Sequence, residues 1–342
     1  MIDSNMNILI VSPQYYPFIG GVEYVVKSTA ERLSKIGYNV TVLCGGKIME
    51  ETVINDVKVI RWPVFSPNNA YYIPLKRYKL KELLKILVED IDIVHIHNFH
   101  SVFPIWVGKN IWKLKKNIKL VATGHYLVTG QSTLRTFLWW FWRKYLKNFI
   151  KIVDTIHAVG KLEGERIVRS FPEAKNKLKV IVNGVEEDTI NYKWIGKNSD
   201  YIIYAGRLER YKRVEKVIDL AKTLGLRAII VGNGSYRATL MEYSKNQYPN
   251  TEFMDYLPRE KYLELVSKAR YAVNPSQREG FGIFIAEAMA IGVPAIVSRE
   301  VAETMGAPII KEIINGLFLV KRIEIQTWND IIKKYINELY NN

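Results

Sequence analysis

The chain has 342 residues, enough for two domains. Its composition, 48% hydrophobic and 24% charged, supports ordinary cores and excludes intrinsic disorder, and a single cysteine, Cys44, excludes a disulfide scaffold. The net charge of +15 calls for an anionic partner.

No window reaches ~18 uninterrupted apolar residues, so no spanning helix is expected. Residues 1–6 are polar and the apolar run 8–11 is too short for a signal peptide, which together with the lone thiol predicts a cytoplasmic protein.

Short β-rich runs alternate with helical stretches. Residues 7–11 read as a buried strand, 12–21 as a turn-rich loop and 22–36 as a helix stopped by Gly37. Strands follow at 39–44 and 57–62, a helix at 75–89, and strands at 91–97 and 119–123. A long aromatic helix runs from about Ser132 to Phe149, with short strands at 155–159 and 179–182. The polar stretch 186–200 reads as a linker. Alternation then restarts: strands at 201–204, 227–231, 251–253, 271–274 and 294–298, and helices at 213–224, 236–243, 259–269, 282–291 and 328–339. Continuous Val/Ile strands between helices predict two doubly wound α/β domains with parallel sheets, and a ligand in the cleft between them. The expected division is 1–190, 191–325 and a closing helix at 326–342.

Charge is unevenly placed. Between Ile93 and Val153 there is no Asp or Glu, but there are ten Lys or Arg and five of the eight tryptophans, Trp106, Trp112, Trp139, Trp140 and Trp142. On the aromatic helix Leu134, Leu138, Phe141, Tyr145, Phe149 and Ile152 recur at helical spacing, with Arg143, Lys144, Lys147 and Lys151 off that stripe. Tryptophan favours the membrane interface and basic side chains attract anionic headgroups, so the stretch reads as a helix lying on a membrane. A core-facing helix with a solvated basic face is the competing reading.

Three constellations carry chemistry. In Glu279-Gly280-Phe281-Gly282-Ile283-Phe284-Ile285-Ala286-Glu287 the first carboxylate sits in a glycine-containing loop after a strand. The second lies in an otherwise apolar helix, where it needs a protein cation or ligand hydroxyls as partner. Gly280 and Gly282 permit close backbone approach, and the helix start offers free N–H groups to an anion. In Gly206-Arg207-Leu208-Glu209-Arg210-Tyr211-Lys212 a strand ends and cations suited to phosphate follow. Gly20-Gly21-Val22-Glu23 joins the first strand to the first helix without forming a GxGxxG fingerprint. A structural Glu–Arg pair, a solvated charged loop and a simple turn are the plain alternatives for the three.

Taken in order with His95-Ile96-His97, Thr123-Gly124-His125, Asn183-Gly184-Val185 and Gly232-Asn233-Gly234, these segments resemble the retaining glycosyltransferases of family GT4, which have the GT-B fold. The resemblance runs from Asn7 to about Val320. It implies that Arg207 and Lys212 hold a donor diphosphate beside Gly206 and, across the cleft, Gly21. It further implies that Glu279 and His125 bind donor-sugar hydroxyls, that Gly280, Phe281, Gly282 and Ile283 line the sugar and phosphate with backbone amides, and that Glu287 binds the ribose. Glu23 falls on the acceptor side with Trp139, Trp140, Trp142, Arg143, Lys144 and Lys147. Two departures stand out. Arg213 occupies a position where the family has glycine, and Arg299-Glu300-Val301-Ala302-Glu303 lacks the family's glycine pair.

The implied reaction moves a sugar from a UDP- or GDP-sugar co-substrate to an acceptor, with retention. A lipid-linked glycan or glycolipid at the inner membrane face fits the basic, aromatic stretch. Residues 207 and 212 supply the positive charge that a metal would otherwise provide, so no cofactor is expected. Asp90-Ile91-Asp92 resembles a metal signature but precedes its strand, on the wrong side for chemistry. His95, His97 and His100 lack a clear fourth ligand and read as core or cleft histidines. A GT-B-like nucleotide-sugar epimerase, a transferase with a soluble acceptor, and a basic nucleic-acid-binding protein are the rival readings.

Overall fold

The computed structural model describes residues 6–18, 20–67, 70–126, 128 and 133–341, and the side chains of these except 133–138. The chain forms two compact units, Met1–Val182 with Asn329–Asn342, and Asn183–Trp328.

The first unit contains β1 (Asn7–Ser12), α1 (Gly21–Lys35), β2 (Asn39–Gly46), β3 (Glu50–Ile54), β4 (Val57–Phe65), β5 (Ile73–Pro74), α2 (Arg77–Asp90), β6 (Ile93–His97) and α3 (Val102–Leu114). There follow β7 (Lys119–Thr123), α4 (Thr133–Ile152), β8 (Thr155–Ala158), α5 (Lys161–Ser170) and β9 (Leu178–Val180). The sheet runs β3-β4-β2-β1-β6-β7-β8-β9, with β5 attached to β4. It is parallel except where β3 and β5 pair with β4. Strand order reverses between β1 and β6, the crevice where doubly wound sheets take ligands.

The second unit contains β10 (Tyr201–Ala205), α6 (Glu215–Leu224), β11 (Arg227–Val231), α7 (Arg237–Gln247), β12 (Thr251–Met254), α8 (Arg259–Ser267), β13 (Tyr271–Asn274), α9 (Ile283–Ile291), β14 (Ala295–Ser298), α10 (Arg299–Met305), β15 (Ile309–Ile314) and β16 (Leu317–Val320). Its order is β12-β11-β10-β13-β14-β16-β15, and the reversal falls between β10 and β13. The final helix, α11 (Trp328–Tyr335), begins at the end of this unit and continues in a wider turn to Tyr340.

Strands β3, β15 and β16 were not legible in the sequence. Each belongs to a two-residue hairpin, at Asn55-Asp56 and Asn315-Gly316, with positive φ at both turn residues (49° and 62°, 41° and 76°). Such turns match the twist of the flanking strands. Strand β3 is mostly exposed and shows no buried periodicity.

The reading of α4 as a membrane-lying helix requires correction at its tryptophans. Trp139 is 7% exposed and packs in the core with Leu146, Phe149, Ile150 and Val153, which sets the inward face. Its ring stacks on His100 at 4.2 Å. Trp142 also leans on this core and donates its indole N–H to the Phe99 carbonyl at 2.8 Å. Both are anchors of the first unit. Phe141, assigned to the apolar stripe, is 52% exposed beside Trp140 at 54%. The helix is apolar around more than half its circumference, so spacing alone did not fix its rotation. The side chains of Leu134 and Leu138 lie outside the described residues. The cations have local partners: Lys147 pairs with Glu173 at 3.0 Å, Lys144 lies over Trp140, and Arg143 reaches the Ser170 carbonyl. Lys115 closes the end of α2 by donating to the carbonyls of Val88, Glu89 and Ile91.

Alternation along β6, β7 and β8 turns Val94, Ile96, Leu120, Ala122, Ile156 and Ala158 to one core and His95, Thr123 and His157 to the opposite face. These polar side chains are fully buried and bond to one another. His95 bonds Tyr340 at 2.8 Å and Thr123 at 2.7 Å; Thr123 bonds His157 at 2.8 Å; His157 bonds the Ile181 carbonyl at 2.7 Å. Tyr335 packs edge-on against His157. The chain's last residues thus cover the polar face of the sheet in their own unit.

Burial pushes the imidazoles of His100 and His157 down to about 4 and, with neighbouring His157 and His100, that of His125 to about 3. Below 6.5 the unfolded chain therefore binds more protons than the folded one, and stability falls as pH falls. Glu163 opposes this: burial pushes its carboxyl up to about 7, so it favours folding as pH drops through that range. His95 and His97 are lowered too and Glu287 is raised with Glu163, so five depressed imidazoles outweigh two raised carboxyls. Urea unfolding is expected to show a stability lower by about 3 kcal/mol or more at pH 5 than at pH 7. Equal stabilities would contradict the buried neutral histidines.

Candidate active site

In the second unit, β10 and β13 are parallel neighbours, and the loops after both carry the charged residues singled out in the sequence. Beyond β10, Gly206 donates its N–H to the Val231 carbonyl. A Cβ on Gly232 would collide with the Gly206 carbonyl, and one on Gly234 with the Leu208 backbone. The Gly-Asn-Gly turn after β11 therefore lets two loops touch, with Leu208 donating to the Asn233 carbonyl at 2.9 Å. Arg207 is exposed, and its guanidinium donates to the Tyr211 hydroxyl at 3.1 Å. Arg213 adopts φ 52°, the left-handed conformation that glycine takes most readily, at a cost of ~1–2 kcal/mol for a side-chain-bearing residue. The arginine departs from the family sequence while keeping a glycine-like backbone.

Lys212 and Glu279 meet. The ammonium lies 2.6 Å from Glu279 Oε2, and the Asn274 amide donates to the same oxygen at 3.2 Å. Lys212 is only 12% exposed at its side chain. The two cations differ: Arg207 stands exposed, while Lys212 is held by the carboxylate. A strand-end asparagine and a lysine from the neighbouring loop converge because β10 and β13 are adjacent, a fact absent from sequence spacing.

Helix α9 starts at Gly282, which has φ 85° and no side chain to cap the first turn. The first internal bond is Ala286 N–H to the Gly282 carbonyl. The amides of residues 283–285 point out of the helix start, where an anion would be stabilised. Gly280 is exposed, with nothing within 4 Å of a built Cβ, whereas the Phe281 ring is buried and anchors the loop. Ser298 caps the segment that lacks the glycine pair. Its hydroxyl donates to the Ser276 carbonyl at 2.6 Å and accepts from Val301 N–H, starting α10 directly.

Glu287 is 4% exposed, and both of its oxygens have protein partners. Arg259 donates to one and the Tyr262 hydroxyl to the other at 2.7 Å. Arg259 also binds Asp188 at 2.9 Å and Thr189 at 2.7 Å, fastening the entry segment to α8 and α9. Burial pushes the Glu287 carboxyl up, opposed by Arg259 and Tyr262. Of the two kinds of partner the sequence left open for Glu287, a protein cation is present. Arg259 was missed because its sequence surroundings are those of an ordinary amphipathic helix.

In the first unit, Gly20 precedes α1 and Glu23 holds the third helical position, with its carboxylate folded over Gly20 in the manner of a capping acid. Gly21 is open, and Ile19 lies outside the described residues. His125 has φ 44° just beyond β7. Its loop is fixed by Glu163, which accepts the N–H groups of Tyr126 (2.7 Å) and Val159 (2.8 Å). Glu163 was also missed; its signal was the acid in the first turn of α5. His125 Nε2 lies 3.2 Å from His97 Nδ1. Asp92 accepts the Asn7 N–H at 2.8 Å, at the strands' starting edge. Among the described residues no three His, Cys, Asp or Glu side chains gather as metal ligands would.

Two doubly wound, mainly parallel-sheet units in one chain are the architecture of the GT-B fold. Residues 19–189 match Glycosyltransferase Family 4 and residues 185–339 match Glycosyl transferases group 1. An uncharacterized glycosyltransferase of Methanocaldococcus jannaschii, MJ1607, is 27% identical over 345 residues, 92% of this chain and 85% of that one. A GDP-mannose-dependent alpha-mannosyltransferase of Corynebacterium glutamicum is 25% identical over 332 residues, 92% and 76% of the two chains. Among solved structures, Anabaena HepE in complex with UDP and glucose superposes with TM-score 0.66 at 18% identity, covering 97% of this chain and 90% of that one. The chain belongs to glycosyltransferase family 4, and it is a transferase enzyme.

The Arg259–Glu287 pair supplies a stability test. Arg259→Met leaves a buried carboxylate with one hydroxyl partner and is expected to cost about 3 kcal/mol, measured by urea unfolding. Arg259→Met combined with Glu287→Gln should recover part of that loss. A single mutant as stable as the parent would show the pair to be unimportant.

Proposed function

We propose that this enzyme transfers a sugar, with retention, from a UDP- or GDP-sugar to a lipid-linked glycan or glycolipid at an anionic membrane surface, without a divalent metal. The observation that carries the donor half is the convergence of Lys212, Glu279, exposed Arg207 and the uncapped start of α9 at the β10/β13 switch point. The UDP in the HepE structure and the GDP-mannose dependence of the Corynebacterium relative support a nucleotide-sugar donor.

As the glycosidic bond breaks, positive charge grows on the sugar and negative charge on the departing diphosphate. Arg207, Lys212 and the amides of residues 283–285 oppose the negative charge with groups already in place. Glu279 keeps Lys212 oriented, and its remaining oxygen is available to donor-sugar hydroxyls. Glu279, tied through Oε2 to Lys212 and Asn274, is assigned an orienting role, and the transfer is read as front-face, with a leaving-phosphate oxygen taking the acceptor proton. Arg259 and Tyr262 fix Glu287, whose free lone pairs suit ribose hydroxyls. His125 is assigned to a donor-sugar hydroxyl. Cations 207 and 212 do the work of a metal, so turnover should persist in EDTA.

The membrane half rests on the outer face of α4. Trp140, Arg143, Lys144, Lys147, Ser170 and Phe171 line a shallow groove of about 250 Å³, and Phe141 is exposed nearby. No helix among the described residues is long and apolar enough to cross a membrane, so contact is peripheral in this reading.

Arg207→Ala is expected to lower turnover by about two orders of magnitude with unchanged stability, and Lys212→Ala to lower it as far while also loosening Glu279. Near-parental turnover in both variants would end the donor-site assignment.

Vesicles containing anionic lipid should bind the protein at low salt and release it as salt rises. Lys144→Glu with Lys147→Glu should abolish that binding while leaving nucleotide affinity intact. A parent protein that ignores anionic vesicles would remove the membrane half of the proposal.

A further inference from the structure

The hydrogen bonds beneath α11 have one direction. The Ile181 carbonyl only accepts, so His157 carries its proton on Nε2. Its Nδ1 is then a lone pair, which accepts from the Thr123 hydroxyl. With that hydrogen committed, Thr123 Oγ1 accepts from His95 Nε2–H. His95 Nδ1 in turn accepts from the Tyr340 hydroxyl. Every ring nitrogen of His95 and His157 is therefore occupied, and none serves His97.

His97 is fully buried beside His95, with ring centroids 4.3 Å apart. Among the described residues its Nε2 has no hydrogen-bond partner. Its Nδ1 faces His125 Nε2 at 3.2 Å, and one of these two nitrogens must donate. Burial and the neighbouring imidazoles keep both rings neutral. If His125 donated, the His97 proton would sit on Nε2, a buried N–H with no acceptor. If His97 donates, the proton is used and only a lone pair is left over. Orphaned buried N–H groups are the rarer of the two defects.

We propose that His97 is a positioning residue that donates from Nδ1 and so holds His125 as its Nδ1–H tautomer. The partly exposed His125 then presents an N–H donor instead of a basic nitrogen. It would give a hydrogen bond to a hydroxyl or phosphate oxygen and would not take a proton. This rests on the reading of His125 as a donor-sugar contact only where turnover is concerned; the tautomer itself is a property of the first unit. Glu163 contributes by fixing the loop at Tyr126, next to His125.

The chain has five histidines, so protein labelled with ¹⁵N-histidine gives a tractable long-range ¹H–¹⁵N spectrum, assigned by single substitutions. At pH 7.5, His97 and His125 should show protonated-type shifts at Nδ1, and His95 and His157 at Nε2. His125 found as the Nε2–H form overturns the proposal, with no variant needed. In His97→Asn the side-chain amide can replace the Nδ1–H donor, and the His125 signature should persist. In His97→Leu it should shift toward Nε2–H; persistence there also overturns the proposal. With nucleotide sugar, turnover should stay within about threefold of the parent for Asn and fall about tenfold for Leu. A tautomer change with unaltered turnover upholds the role of His97 and removes His125 from the donor site.

Discussion

A parallel strand covered on both faces excludes water, so each polar side chain it carries must find a protein partner or move beyond the strand's end. Both units follow this constraint. In the first, His95 of β6, Thr123 of β7 and His157 of β8 are linked into one hydrogen-bonded file that ends on the hydroxyl of Tyr340, while His97 turns to His125. In the second, the central strands β10 and β13 carry no charged residue, and charged groups collect in the loops after them. The chemistry sits at the carboxyl ends because the sheet interior admits no unpaired charge.

The same constraint explains the ion pairs. Lys212 and Glu279 each bring a charge to a partly buried loop, and each is stabilised by the other. Glu287 lies deeper, in a helix apolar on all sides, and is stabilised by an arginine that is itself tied to Asp188 and Thr189. The two carboxylates, eight positions apart on the chain, therefore have different physical characters. One is coupled to a lysine at the rim of the site. The other belongs to a buried network and tolerates the loss of its cation poorly. Treating them as one motif hides that difference.

The basic stretch also changes meaning once folded. Its lack of carboxylates suggested a single charged surface. Instead Lys115 closes a helix, Lys147 pairs with Glu173 from beyond the stretch, and Lys109 lies 3.7 Å over the Tyr145 ring. Trp139 and Trp142 hold the core, and among the described aromatic side chains of the stretch Trp140 and Phe141 are the ones about half exposed. The surface that could meet lipid is much narrower than the stretch that suggested it.

Period, composition and ordered motifs determined the fold class and most of the parallel strands, and they singled out Arg207, Lys212, Glu279 and Glu287 as charges in need of a partner. These are local signals: a buried strand must be apolar, a turn needs glycine, and a charge inside an apolar helix needs an explanation. Tertiary structure alone decided which partner each charge took, because Arg259 and Glu287 are brought together by the packing of α8 on α9. It also decided which side of α4 faces inward, since a helix apolar around most of its girth is rotated by the shape of the core it meets. Finally, it decided where the protons of the buried histidines lie. A tautomer depends on what stands opposite each ring nitrogen, and those partners come from β7, β8 and the last residues of the chain.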